Sequence, residues 1–91
     1  MPAKREETDE TLVQRIEESC KESVSFARRD AFALSAECFR VALANARKVK
    51  DQATVDRMWA LLRETDDETL GLWNAFRAQR LAKFRSNRPV G

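Results

Sequence analysis

The sequence predicts an all-α protein, a small compact bundle of three to four helices, on three observations. Apolar residues recur at helical spacing along nearly the whole chain. Both prolines, Pro2 and Pro89, stand at the ends, so no proline ring interrupts a helix between residues 3 and 88. With two Gly and no Tyr in 91 residues, turn and strand signals are scarce. A chain of this length has room for one hydrophobic core. The expected organisation is therefore a single helical domain over 9–85, between flexible tails at 1–8 and 86–91.

The first helix is expected over about 9–28, where Leu12, Val13, Ile16, Cys20, Val24 and Ala27 fall on one stripe. Thr11 and Gln14 have the spacing of a capping box, and Thr8 is the alternative start. The second helix, about 31–49, has two apolar faces side by side. Leu34, Cys38, Val41, Ala42 and Val49 make one, and Phe32, Ala36, Phe39, Leu43 and Ala46 make the other. A helix apolar around so much of its circumference is expected to be central, packed on two or more neighbours. Its alanines would let those neighbours approach closely.

A third helix over 52–64 follows Asp51 as N-cap, with Val55, Met58, Trp59 and Leu62 on its core stripe. A fourth is expected over 66–85. Thr65 and Glu68 fit a capping box there, and Asp66 and Asp67 place negative charge at the positive end of the helix dipole. Between the first two helices, "FARRDAFAL" holds neither Gly nor Pro, and only Asp30 as an N-cap argues for a break. The break is preferred, since a hairpin turning near Asp30 sets Cys20 opposite Cys38 and aligns the apolar stripes of the two helices, whereas an unbroken helix from 9 to 49 would run about 60 Å. Its two wide apolar faces would then demand a dimer.

Composition narrows the function. There is no histidine, which removes the commonest general base, the usual triad base and the most frequent metal ligand. Cys20 and Cys38 lie too far apart for a CxxC pair, and each sits on an apolar stripe, so both read as small core residues. Gly71 and Gly91 stand alone, so no phosphate-cradling loop is present; Gly71 reads as a point of close helix approach. The expectation is a non-enzyme with no cofactor and no metal. No run of 18 or so apolar residues could span a bilayer, and "MPAKREETDE" lacks the apolar core of a signal peptide. The expected location is the cytoplasm.

Charge is uneven along the chain. Residues 1–46 hold seven Lys/Arg against nine Asp/Glu, a balance of −2, while residues 47–91 hold ten against six, a balance of +4. Past Glu68 there are five cations and no acid. The stretch "LWNAFRAQRLAKFR", residues 72–85, does not segregate its rings from its charges. Leu70, Trp73, Leu81 and Phe84 form a stripe, Arg77 projects into its middle, Arg80 lies along its edge, and Phe76 and Lys83 continue the flank.

Three accounts compete for this stretch. Trp73, Leu81 and Phe84 could dock on the bundle, with Arg77 and Arg80 laying their stems on apolar surface and pairing with acids such as Glu18, Asp30 or Glu37. The stretch could instead be a protein-binding face, since Trp and Arg are enriched at binding hot spots; the turns from Arg80 onward would then outrun the bundle. Or the cations could neutralise phosphates.

The expected function is a non-catalytic binding protein: a small regulator, adaptor or accessory subunit of a larger cytoplasmic assembly. Its partner-binding residues would be Trp73, Phe76, Arg77, Arg80, Lys83, Phe84 and Arg85. A protein partner is favoured, with a homodimer through the same face as a further arrangement and no membrane contact. The alternative is a nucleic-acid accessory protein without base readout. It would add Arg47, Lys48, Lys50 and Arg88 as phosphate contacts.

Overall fold

A computed structural model describes residues 7–86, which form three helices: α1 (Asp9–Arg28), α2 (Phe32–Ala46) and α3 (Gln52–Ser86). Most of both expected tails, 1–6 and 87–91, lies outside the described residues. The rest of the N-terminal tail is structural. Glu7 pairs with Arg15 at 2.7 Å and with Lys48 at 3.5 Å. Thr8, not Thr11, is the N-cap of α1, accepting the Thr11 N–H at 3.2 Å.

The chain breaks at Asp30, so residues 9–49 make a hairpin and not one long helix. The break is a Schellman turn: Ala31 N–H bonds the Phe26 carbonyl at 2.9 Å and Asp30 N–H bonds the Ala27 carbonyl at 3.1 Å. Asp30 takes the left-handed conformation, φ 61°, which this motif usually gives to glycine and which Asp tolerates better than most residues. Asp30 therefore ends α1 instead of capping α2, whose N-cap position falls to Ala31 without a side-chain bond.

The hairpin interface is built from small residues. Ser19, Ser23 and Ala27 of α1 and Ser35, Ala42 and Ala46 of α2 are all buried, which lets the two backbones approach closely. Ser23 Oγ donates to the Ser35 carbonyl at 2.9 Å and lies 3.1 Å from Ser35 Oγ, so these buried hydroxyls are satisfied.

A five-residue connection leads into α3 and is pinned by α1. The Asp9 carboxylate accepts the backbone N–H groups of Lys50 and Asp51 at 3.0 and 2.9 Å, which hold its pKa below the usual carboxylate value. Asp51 caps α3 as expected, accepting from Thr54 N and Oγ1 at 3.0 and 2.8 Å. The core then gathers where the first half of α1, the second half of α2 and the first half of α3 meet. Leu12, Ile16, Cys20, Ala42, Ala46, Val49, Met58 and Leu62 form it, with Val13, Phe39, Leu43, Val55 and Leu61 packed around.

Two expectations fail here, and the second follows from the first. No helix boundary exists at Thr65. The residue is buried inside α3 and its hydroxyl donates to the Leu61 carbonyl one turn back, at 2.8 Å. The helices expected over 52–64 and 66–85 are thus one helix of 35 residues, about 52 Å long. With three helices among the described residues, none of those residues covers the outer side of α2. Its Leu34 and Val41 remain 52% and 50% exposed, and α1, packed along both neighbours, holds the central position.

The bundle is also less compact than expected. Its radius of gyration is 18.1 Å, against about 12 Å for a compact chain of this length, because α3 runs on past the hairpin. Gly71 is not a point of close approach either, since a methyl group added there would meet nothing within 4 Å. Gly71→Ala is accordingly expected to raise stability by about 0.5–1 kcal/mol through helix propensity alone, read as a higher urea midpoint at constant slope.

Candidate interaction surface on α3

The second half of α3 leaves the core and is tied to the hairpin turn by a few contacts. The first is Arg28 with Glu68 at 3.1 Å. Phe32, the first residue of α2, then receives two rings edge-on: Trp73 at a centroid distance of 5.1 Å and Phe76 at 5.9 Å. Beyond them Arg80 Nη2 donates to both oxygens of the Asp30 carboxylate. This is the acid-to-arginine pairing expected for a docked helix, made by one arginine of the two.

Past that anchor α3 projects. Leu81, Ala82, Lys83, Phe84 and Arg85 are all exposed, and Phe84 shows 67% of its surface. Trp73 touches Phe32 yet is still 42% exposed, while Phe76 is half-buried. Arg77, Lys83 and Arg85 have no ion-pair partner among the described residues. The helix is therefore docked through Trp73, Phe76 and Arg80 and exposed from Leu81 to Arg85.

The expected phosphate contacts are not brought together. Arg47, Lys48 and Lys50 sit in the α2–α3 connection, at the opposite end of α3 from Arg80, about 45 Å away along the axis. Lys48 is already paired with Glu7 there. Arg88 lies outside the described residues.

Trp59, expected on the core stripe, belongs to the same surface. It is 40% exposed, and Leu70 and Leu81 beside it are 54% and 47% exposed. The pattern that would have found it is the α3 wheel carried unbroken through Thr65. Trp59 and Arg77 are eighteen residues apart, five whole turns, so they project in one direction.

Open grooves flank α3. One of about 540 Å³ lies against α1, lined by Glu17, Cys20, Lys21, Arg28, Thr65 and Glu68 among others. A second, about 320 Å³, lies against α2 between Phe32, Ala36, Phe39, Leu70 and Trp73. A third, about 600 Å³, lies at the hairpin turn between Asp30, Phe76, Gln79, Arg80 and Lys83. Burial raises the pKa of the Cys20 thiol, and desolvation with the nearby Glu22 raises that of Cys38, so both stay protonated at neutral pH. Among the described residues no three potential metal ligands converge, and no helix is long and apolar enough to cross a membrane.

Comparison with known proteins assigns no family: no family model matches the chain, and no curated protein or solved structure is significantly similar to it.

Proposed function

We propose that the chain is a non-catalytic binding protein, a small regulator, adaptor or accessory subunit of a larger cytoplasmic assembly, whose contact surface is the outer face of α3. One observation carries this reading. Trp73 and Phe84 stand exposed on the face that also presents Arg77, and Arg77 has no acidic partner among the described residues. Large rings in water beside an unmatched guanidinium are the composition of a binding hot spot. Arg80 is held on the hairpin by Asp30 and borders the surface instead of reaching out from it.

Capture of partners from the native host tests the reading. Trp73→Ala and Phe84→Ala are each expected to weaken a genuine contact by about 2 kcal/mol or more, with helix content unchanged. Retention of the same partners by both variants would refute the surface. A second reading, phosphate contact without base readout, draws on Arg77, Lys83 and Arg85, since the cations at the far end of α3 cannot join them. It would reveal itself by binding that falls steeply with salt. A ring-anchored contact is expected to be much less sensitive to salt.

A further inference from the structure

Six side chains along the outer edge of α3 read the same in both directions. Trp59, Asp66, Leu70, Trp73, Arg77 and Phe84 are separated by 7, 4, 3, 4 and 7 residues, and all six are exposed. Steps of three, four and seven are those of a coiled-coil seam. Laid head to tail against itself, the seam sets Trp59 on the partner's Phe84, Asp66 on the partner's Arg77 and Leu70 on the partner's Trp73, and each pair recurs in reverse. Aromatic meets aromatic, carboxylate meets guanidinium and apolar meets apolar.

We propose that this seam is the interface of an antiparallel homodimer, α3 against α3. The inference rests on the reading of α3 as a contact surface and goes past it by naming the occupant as a second copy. Charge and register carry it. Asp66 and Arg77 have no ion-pair partner within the chain among the described residues, and the antiparallel register gives each one.

Other arrangements mismatch. Sliding one copy by a heptad sets Leu70 on Arg80 and Trp73 on Arg77, or, in the other direction, Leu70 on Asp66 and Trp73 on Arg63. A parallel pair sets Asp66 on Asp66 and Arg77 on Arg77. The matched register also sets Arg63 on the partner's Arg80, a like-charged pair that recurs in reverse as the others do, and each Arg80 is already met by Asp30 of its own chain. Antiparallel α3 helices also oppose their dipoles.

The surface is large enough. Trp59, Leu70, Trp73, Leu81 and Phe84 are between 40% and 67% exposed. At roughly 150–250 Å² for each aromatic side chain, and somewhat less for each leucine, they leave about 500 Å² of apolar surface per copy. That is a large part of the ~800 Å² per partner that a stable interface covers.

Light-scattering mass over a dilution series, with charge-swapped variants, tests the proposal. The unaltered chain is expected at twice the chain mass. Asp66→Arg and Arg77→Asp alone each set like charges across the seam, and each is expected to weaken the dimer at least tenfold with helix content retained. The double variant carrying both changes is expected to recover it. Mixing the two single variants is expected to give a heterodimer stronger than either alone, since each 66–77 contact regains opposite charges. The loss in each single variant relative to the unaltered chain is what marks the antiparallel register, because a parallel pair would oppose like charges at both positions already. A chain that stays monomeric at every concentration overturns the proposal, as do single variants that associate no better mixed than apart. A monomer that still captures a different protein, and loses it on Trp73→Ala, overturns the dimer while leaving the contact surface standing.

Discussion

Replacing Ile16 by alanine is expected to remove about 2–5 kcal/mol of stability. Ile16 is fully buried at the centre of the cluster formed by Leu12, Cys20, Ala42, Met58 and Leu62. The alanine would lose the transfer energy of the missing methyl and methylene groups and leave a cavity against three helices. The fraction lost is high because the core is thin: Leu12, Ile16 and Leu62 are the only large apolar side chains with under 3% exposure among the described residues. A chain of this length has roughly 5–13 kcal/mol in all. Urea unfolding checks it, as a fall in midpoint at unchanged slope. Leu34→Ala is the contrast. Leu34 is as apolar as Ile16 and lies on a face expected to be core, yet it is half exposed, so its loss is expected to be about 1 kcal/mol or less. Equal losses at the two sites would mean that α2, not α1, is the buried helix.

That contrast marks what the sequence disclosed and where it misled. Helical class, the break near Asp30 and the cap at Asp51 were legible because each depends on residues close in the chain. Period and capping geometry are local properties. The pairing of Arg80 with Asp30 spans fifty positions, so the sequence could offer it only as one choice among several acids.

The false boundary at Thr65 has a specific cause. A threonine followed by two aspartates and a glutamate satisfies the rules for a helix start, but the same residues sit without strain in mid-helix. The Thr65 hydroxyl bonds the Leu61 carbonyl, and Glu68 finds Arg28. Nothing local separates the two outcomes, since the burial of Met58, Leu62 and Thr65 on one continuous face decides them. The same false boundary places Trp59 in the core, although it is exposed. A wheel stopped at residue 64 shows only its neighbours Val55, Met58 and Leu62, whereas the unbroken wheel aligns it with Leu70 and Arg77. The mixed character of the 72–85 stretch was legible. That its middle docks on Phe32 while its end projects was not, because the docking depends on where α2 begins.

Asp67→Pro separates a continuous α3 from two helices joined at Thr65. Were Thr65 an N-cap, position 67 would lie in the first turn of a new helix, where proline is tolerated because its missing N–H has no intrahelical partner. In the continuous helix, position 67 has a full turn of α3 before it. Proline would remove the N–H that bonds the residue 63 carbonyl and drive its ring into that carbonyl. The expected cost is about 3 kcal/mol or more, with a kink that swings Trp73, Phe76 and Arg80 away from Phe32 and Asp30. Asp67→Ala supplies the control. Asp67 is exposed and makes no ion pair among the described residues, so its side chain is expected to matter by only a few tenths of a kcal/mol. Two readouts check the pair of variants. Urea unfolding gives the stability difference, and fluorescence in a Trp59→Phe background, which leaves Trp73 as the one indole, reports whether its ring still rests against Phe32. A proline variant as stable as the alanine one, with the Trp73 signal intact, would restore the boundary at Thr65 and divide the proposed contact surface between two helices.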